Sequence, residues 1–194
     1  MASIAAVLSA CQLLREAVLI FVTVGNWHKG FGRLVEAMDS LIAEGALTED
    51  VVAQIGSGTY EPSKMEYFRF CSPEEFQGHF RKARVIVGHG GMGTIAVALR
   101  ENKTIVVVPR RPELGEVSNG HQLATARQLE IEGRILVAYE TENLLAKLRE
   151  ADDFAPAKGP ENGRLIQAVA EFVEACAARR SGFFRPKRSS EKET

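Results

Sequence analysis

Residues 85–94 read VIVGHGGMGT. We predict a buried strand over Arg84–Val87, a loop over Gly88–Gly93 and a helix over Met92–Arg100. Glycines leave the backbone amides of such a loop unhindered, and the positive end of the helix points towards the same place. The segment therefore predicts a site where a diphosphate can rest.

The glycine loop also fits the pattern G-x-G-x-x-G, which alone is a weak sign of a dinucleotide site. A dinucleotide fold expects that pattern after its first strand, with an acid near the end of the second. Here it follows a later strand. Two other interpretations stay open: the glycines serve only a tight turn, or Arg110 and Arg111 meet the 2′-phosphate of NADP.

Strands and helices alternate on both sides of this loop. Apolar runs predict further strands at Val18–Val24, Val51–Ile55, Tyr67–Cys71, Thr104–Val108 and Arg134–Ala138. Apolar spacing and capping residues predict helices at Phe31–Ile42, Ser72–Ala83, Gly120–Ile131, Glu142–Glu150 and Arg164–Ala178. This order predicts an α/β fold with a doubly wound, mostly parallel sheet that binds ligands at the carboxyl ends of its strands.

The composition limits the class of protein. The chain has 194 residues, 45% of them hydrophobic, which suits one globular domain. Its 24 Lys and Arg balance 25 Asp and Glu, so we expect no generic binding to nucleic acid. Three scattered cysteines and four histidines without ligand spacing predict a reduced, cytoplasmic chain with no metal site.

The two ends of the chain differ from its centre. Residues 1–18 are largely apolar, but polar and charged residues interrupt them, so we expect a leader segment and no membrane span. Residues 179–194 are basic and polar, which predicts a flexible tail. The α/β domain is accordingly expected over residues 19–178.

A second polar group opens the helix predicted after Thr104–Val108. Residues 119–122 read NGHQ, and amide and imidazole groups at a helix start suit the hydroxyls of a neutral polyhydroxylated ligand. Simple N-capping by Asn119 is the alternative interpretation.

Four motifs occur together, in a fixed order: IFVTVG at 20–25 with His28, Phe31 and residues 33–35; VGHGGMGT at 87–94; VVVPR at 106–110; and NGHQ at 119–122. Over residues 19–150 the chain thereby resembles the C-terminal half of the family 28 glycosyltransferases. It is most similar to the small soluble donor-binding subunits of two-chain enzymes. These include the catalytic subunit of the dolichol-linked N-acetylglucosamine transferase and bacterial exopolysaccharide and capsule counterparts.

The resemblance implies a nucleotide-sugar-binding domain equivalent to the C-terminal half of a GT-B enzyme, with a UDP-sugar as substrate. It assigns phosphate contacts to His89, Gly90, Gly91, Gly93 and Thr94, and sugar contacts to Asn119, His121 and Gln122. Gly25, Asn26 and His28 are expected to line the cleft, and the loop at Phe70 and Cys71 to cover the uracil.

Two positions depart from the family pattern. Relatives commonly carry a glutamate, held to bind the ribose hydroxyls, where this chain has Val97, and a glycine where it has Asn102. The presence of Val97 at this position favours the alternative interpretation, in which the chain is a catalytically silent nucleotide-sugar-binding or scaffold protein.

The chemistry that the resemblance implies is inverting sugar transfer. An acceptor hydroxyl attacks the anomeric carbon as UDP leaves, and glycine amides at a helix start can stabilise the leaving group without a metal or other cofactor. The general base is expected on a partner chain. His28 is the candidate base on the present chain. We expect that partner to be membrane-anchored and to hold a lipid-linked glycan acceptor, which brings the chain to the inner face of the membrane. The transferred sugar stays open between glucose, glucuronic acid, galactose and N-acetylglucosamine.

Overall fold

The computed structural model describes residues 19–158, which form a parallel six-stranded sheet between two layers of helices. The strands are β1 (Leu19–Thr23), β2 (Asp50–Gln54), β3 (Glu66–Phe68), β4 (Val85–Gly88), β5 (Thr104–Val107) and β6 (Leu136–Val137). The helices are α1 (Gly32–Ala43), α2 (Pro73–Lys82), α3 (Met92–Arg100), α4 (His121–Ile131) and α5 (Leu144–Glu150), with 3₁₀ turns at Pro112–Leu114 and Thr141–Asn143.

The strand order is β3-β2-β1-β4-β5-β6, and every neighbouring pair is parallel. The chain moves outward from β1 through β2 to β3, then returns to the centre and moves the other way from β4 to β6. The predicted doubly wound sheet is therefore confirmed. In such a sheet the connections after β1 and β4 diverge and leave a crevice at the carboxyl ends of these two strands.

The strands are apolar on both faces because helices cover each face. One core contains Ile20 and Val22 of β1 with Leu34 and Met38 of α1 and Leu148 of α5. The other core, on the opposite face, contains Phe21 of β1 with Phe80 of α2, Ile95 of α3 and Ala126 of α4. Successive β1 residues thus serve opposite cores, which fixes the register of the central strand.

Two predicted strands are shorter in the structure. The strand expected over Tyr67–Cys71 ends at Phe68, because the chain turns away there towards Ser72, which caps α2. Phe70 is 58% exposed in the resulting loop. The strand expected over Arg134–Ala138 is reduced to Leu136–Val137. By contrast, α3 has the predicted bounds.

Residues 19–157 belong to one compact unit. The leader segment 1–18, the helix expected over Arg164–Ala178 and the tail 179–194 lie outside the described residues. Within residues 19–158, none of the helices combines the length and the apolar character needed to cross a bilayer.

Candidate functional site

The register of the sheet sets the last residues of four strands side by side. Gln54 of β2 is paired with Thr23 of β1, Thr23 with Gly88 of β4, and Gly88 with Val107 of β5. The loops that follow these residues all leave the sheet at the same edge. Motifs far apart in the sequence therefore meet there.

The carboxamide of Gln54 connects the end of β2 to the loop after β1 and to the chain that leaves β3. Its Oε1 accepts hydrogen bonds from Thr23 Oγ1 at 2.8 Å and from the Gly25 amide at 3.1 Å. Its Nε2 donates to the carbonyl oxygens of Arg69 at 2.9 Å and Gly25 at 3.3 Å. Gln54 is buried, so these bonds replace water at every polar atom of the side chain.

His89, in the glycine loop, packs against the loop that follows β1. A Cβ atom at Gly25 would lie 2.6 Å from the imidazole, and one at Gly91 would lie 2.3 Å from it. Only glycine fits at these two positions while the ring stays where it is. His89, which was expected to contact phosphate, thus packs between the glycine loop and the loop after β1. Its contact with phosphate stays a prediction.

The environment of His89 favours a neutral ring. Burial, reinforced by the charge of Arg110, lowers the pKa of His89 to about 4, while a hydrogen bond with the Thr23 carbonyl acts the other way. His89 Nδ1 lies 3.4 Å from that carbonyl oxygen, an arrangement that places the ring proton on Nδ1.

The start of α3 is open. Its N-cap residue is Gly91, no side chain caps it, and its first turn contains no acidic residue. The first amides of a helix have no acceptor within the helix, so those of α3 can bind an outside anion. A Cβ atom at Gly93 would meet no atom within 4 Å, which indicates free space beside these amides.

The neighbouring helix α2 has the opposite arrangement. The Ser72 hydroxyl accepts from the Glu75 amide at 3.2 Å, and the Glu75 carboxylate accepts from the Ser72 amide at 2.8 Å. This capping box provides hydrogen-bond acceptors for amides at the start of α2 and places a negative charge there. Of these two helix starts, α3 is the one suited to a diphosphate.

A cavity of about 410 Å³ lies between the starts of α2 and α3. Its wall comes from the loop after β1, the end of β2, the loop after β3, and both helices. The lining residues are Thr23, Gly25, Asn26, Gln54, Phe70, Cys71, Ser72, Pro73, Phe76, Gln77, Gly93, Thr94 and Val97. Burial, with the nearby Glu75 carboxylate, raises the pKa of the Cys71 thiol, so this wall is uncharged at neutral pH.

The structure brings together most of the predicted site residues. Six of them line the cavity: Gly25, Asn26, Phe70, Cys71, Gly93 and Thr94. Gly90 and Gly91 belong to the adjoining loop, and an atom at the Cβ position of Gly90 would lie 3.5 Å from Gln122 Cβ. Asn119, His121 and His28 are exposed and do not line this cavity. Asn119 Oδ1 accepts from the His121 amide at 3.2 Å, but the N-cap residue of α4 is Gly120 and no side chain caps this helix, so the alternative interpretation of Asn119 as the N-cap is wrong.

Sequence reasoning missed several wall residues, above all Gln54. One signal was present: Gln54 is a polar residue that follows three apolar residues, Val51, Val52 and Ala53, at the end of a strand, where a buried amide needs partners. The contributions of Phe76 and Gln77 were not visible, because they depend on the angle at which α2 lies over the sheet.

Arg110 and Arg111 have structural contacts. Arg110 is buried, donates to the Val24 carbonyl at 2.9 Å and stacks on Phe31, with 5.1 Å between the guanidinium carbon and the ring centre. Arg111 is paired with Glu140 and donates to the Tyr139 carbonyl. Neither guanidinium lines the cavity, so the arrangement gives no support to a site for the 2′-phosphate of NADP.

A second cavity, of about 570 Å³, lies at the opposite edge of the sheet, around the start of β2. It is larger, but its charged lining consists of Glu49, Asp50 and Glu66 against Lys64. Such a wall repels a diphosphate. Among residues 19–158, moreover, no three His, Cys, Asp or Glu side chains gather as metal ligands.

The family model for the glycosyltransferase family 28 C-terminal domain matches residues 19–171. The chain belongs to this family. The matched residues include all six strands, the glycine loop and the residues that line the cavity.

Similar proteins agree with this assignment. The human UDP-N-acetylglucosamine transferase subunit ALG13 is 32% identical over 149 residues, which are 72% of this chain and 12% of that protein. The chain thus spans about an eighth of the length of this curated relative. Among solved structures, the calicheamicin glycosyltransferase CalG4 has a TM-score of 0.56 at 21% identity, covering 85% of this chain and 44% of CalG4. An ALG13 solution structure has a TM-score of 0.51 at 18% identity, covering 79% of this chain and 96% of that one. These two likenesses support the GT-B-type, Rossmann-like fold.

We expect Gln54→Leu to lower the free energy of unfolding by roughly 2 to 4 kcal/mol, because it leaves buried polar partners unsatisfied. Urea unfolding followed by circular dichroism measures this loss. Gln77→Leu is the matched control: Gln77 lines the same cavity but is only half-buried and outside this hydrogen-bond set. Equal losses in the two variants would contradict the role given to Gln54.

We expect acid to weaken the fold through His89. The folded-state pKa of about 4 lies below the ordinary value of 6.5, so the unfolded chain binds the proton first as the pH falls. The contribution of the neutral ring is complete above pH 6.5 and is lost by about pH 4, with a magnitude on the order of 3 kcal/mol.

Denaturant unfolding between pH 7.5 and 4 measures this slope in the wild-type chain, in His89→Gln and in a control, His121→Gln, whose side chain is exposed. His89→Gln should have a shallower slope, and His121→Gln should follow the wild type. Parallel curves for all three chains would contradict the assignment.

Proposed function

We propose that this family 28 domain binds the donor of an inverting UDP-sugar glycosyltransferase. The enzyme would act on a lipid-linked glycan acceptor, as in exopolysaccharide, capsule or lipid-linked oligosaccharide synthesis. One observation carries the proposal: the uncapped start of α3 opens into an uncharged cavity of about 410 Å³ that continues to Phe70 and Cys71. A uridine diphosphate has the matching chemistry, with an anionic group at one end and a flat base at the other.

The diphosphate would lie at the start of α3. The amides of its first turn, around Gly93 and Thr94, and the positive end of the helix would neutralise the two phosphates. The uracil would reach towards Phe70 and Cys71, where an aromatic ring can stack on it. The sugar would project out of the cavity towards the partner, and Asn119, His121 and Gln122 are its proposed contacts.

The proposed reaction breaks the bond between the anomeric carbon and the β-phosphate oxygen. The acceptor hydroxyl attacks that carbon from the opposite side, so an α-linked donor gives a β-linked product. The electron pair leaves with UDP, and the start of α3 is placed to stabilise the charge that develops there. This stabilisation requires no metal ion.

The proton of the acceptor hydroxyl would go to a base on a partner chain. No Asp, Glu or His lines the cavity among the described residues, and His28 is exposed beside Trp27, with 4.7 Å between their ring centres. His28 remains the candidate on this chain. The same lack of a carboxylate or imidazole is the observation that favours the second candidate function, a silent nucleotide-sugar-binding or scaffold protein.

A partner is supported by the apolar rim, which we define as Trp27, Phe70, Met92 and Leu114. These side chains are 37%, 58%, 54% and 54% exposed. Trp27 and Phe70 lie in loops, Met92 begins α3 and Leu114 ends the 3₁₀ turn, and each of these segments follows a strand. Because the strands are parallel, the rim surrounds the edge at which the cavity opens. Exposed apolar groups concentrated in this way suit a protein interface.

The proposed partner is the membrane-anchored, acceptor-binding subunit of a two-chain enzyme. A curated relative is itself named as a transferase subunit. Docking on the apolar rim would close the donor cavity against the acceptor and bring the chain to the cytoplasmic face of the membrane. UDP-N-acetylglucosamine is the first donor to test, because that relative's name contains it.

We expect Gly93→Asp to weaken UDP binding by at least about 30-fold, because a carboxylate in the first turn of α3 repels the diphosphate. The fold should survive, since the position has free space and an acid in a first helical turn is favourable. Calorimetric titration with UDP, without added metal, measures the loss, and thermal unfolding checks the fold.

Gly93→Asn is the matched control, since it adds nearly the same volume without the charge. It should bind UDP within about fivefold of the wild type. Unchanged binding in Gly93→Asp, or an equal loss in both variants, would contradict a diphosphate at this helix start.

We expect the purified chain to bind a UDP-sugar but to transfer it only when membranes containing the partner are added. The double variant Trp27→Ser/Leu114→Ser should reduce this membrane-dependent transfer at least about tenfold, because its apolar contact area is lost, and should leave UDP binding unchanged. Incorporation of radiolabelled sugar into lipid measures transfer.

Ile131→Ser is the control for the double variant. Ile131 is 80% exposed, but it ends α4 at the opposite edge of the sheet. Transfer by the purified chain alone, at the rate measured with membranes, would overturn the need for a partner.

A further inference from the structure

Arg110 is a buried cation with few partners. It follows Pro109 in the loop that leaves β5, and its side chain is buried. Among residues 19–158 its guanidinium forms one hydrogen bond, from Nη2 to the Val24 carbonyl oxygen at 2.9 Å, and its buried Nε has no partner. A guanidinium has five N–H donors, and removing its charge from water is costly unless partners replace the water. Arg110 therefore costs the fold stability.

No carboxylate cancels the charge of Arg110. The ion pairs within residues 19–158 do not include it. Glu116 is near enough to act on its charge, but Glu116 is paired with Arg33 at 2.8 Å. The guanidinium carbons of Arg33 and Arg110 lie 5.2 and 5.1 Å from the centre of the Phe31 ring. Two guanidinium groups and one carboxylate thus leave one excess positive charge beside the loop after β1.

The glycine loop connects the surroundings of Arg110 to the start of α3. A Cβ atom at Gly90 would lie 3.7 Å from Cα of Pro109, the residue before Arg110. The next glycine, Gly91, is the N-cap residue of α3. Burial, followed by the charge of Arg110, lowers the pKa of His89, which stands in the same loop, to about 4. The charge of Arg110 therefore acts on a group in the loop that leads into α3.

Three successive carbonyl oxygens at the end of β1 are bound by side chains from other segments. The pairs are the Thr23 oxygen with His89 Nδ1 at 3.4 Å, the Val24 oxygen with Arg110 Nη2, and the Gly25 oxygen with Gln54 Nε2 at 3.3 Å. A carbonyl oxygen carries the negative end of the peptide dipole and repels an anion. Because N–H donors bind these oxygens, the end of β1 repels an anion less strongly. Arg110 is the one of these three donors that carries a full charge.

We propose that Arg110 is a positioning residue of the donor site, whose buried charge attracts the diphosphate at the start of α3 while its guanidinium holds the end of β1. The guanidinium does not line the cavity, so it acts without touching the ligand. Charges attract each other more strongly across a protein interior than across water, because the dielectric constant is lower. A role in binding accounts for a buried cation that costs stability. The inference rests on the proposed function, since it requires a nucleoside diphosphate at this helix start.

The test uses three ligands that share a base and a pentose but differ in charge: UDP, UMP and uridine. Arg110→Gln removes the charge and keeps an N–H donor for the Val24 carbonyl. In the full chain this variant should bind UDP at least about tenfold more weakly than the wild type, lose less affinity for UMP, and bind uridine within about threefold. Calorimetry measures UDP and UMP, and an amide NMR titration measures the weaker uridine. Loss of a merely structural role would weaken all three ligands by the same factor.

Three further variants complete the test. Arg110→Met, a second neutral variant, is expected to fold because an apolar side chain of similar size commonly replaces a buried charge without loss of stability. Arg110→Lys keeps the charge and should keep the wild-type ratio of UDP to UMP affinity within about threefold. Arg111→Met is the matched control, since Arg111 stands in the same loop but is paired with Glu140, and it should also keep this ratio. Thermal unfolding checks the fold of each variant.

The possible results separate this inference from the proposed function. If UDP binds the wild type and a folded neutral variant loses no affinity, or loses the same factor for all three ligands, the inference is overturned while the proposed function stands. The same holds if Arg110→Lys loses the preference for UDP as the neutral variants do, or if neither neutral variant folds, because Arg110 is then a structural residue. If UDP does not bind the wild type, both are overturned.

Discussion

The buried carboxamide of Gln54 is the interaction on which the candidate site depends. It bonds to the end of β1, to the loop after β1 and to the chain that leaves β3, so a single side chain fixes the relative positions of three segments. The parallel register makes this possible, because it places Gln54 directly beside Thr23. The cavity wall formed by Asn26, Phe70 and Cys71 depends on those segments holding their places.

A steric constraint complements these hydrogen bonds on the other side of β1. The His89 ring occupies the space that Gly25 and Gly91 leave by lacking a Cβ atom, so it positions the glycine loop against the first-strand loop. Gly93 has a different role, since it faces free space at the start of α3. The glycines of one short motif thus differ: Gly91 has no space for a Cβ atom, whereas Gly93 is surrounded by open space. A motif match alone cannot distinguish these roles.

The repeating features of the fold were predictable from sequence, while contacts across it were not. Continuous apolar runs and helical spacing give β1, α1 and α3 nearly their observed bounds. The edge strand β3 was predicted too long, because an aromatic residue such as Phe70 is typical of a strand. In the structure Phe70 is exposed in a loop, close to the residue that caps α2. The glycine loop was predicted from its motif, whereas Phe70 and Cys71 were assigned to the site only through the family resemblance. The network of Gln54 was missed because its partners lie in other segments, and nothing in the sequence near Arg110 showed that its guanidinium would be buried on Phe31.

The proposed function requires that a nucleoside diphosphate binds between the start of α3 and the loop after β3. Amide NMR spectra of the isotope-labelled full chain, recorded during titration with UDP, test it most directly, because each backbone amide reports separately. We expect the largest shifts at the amides of Gly93 and Thr94, followed by those of Phe70 and Cys71. Shifts concentrated at Glu49, Lys64 and Glu66, around the cavity at the opposite edge of the sheet, would contradict it.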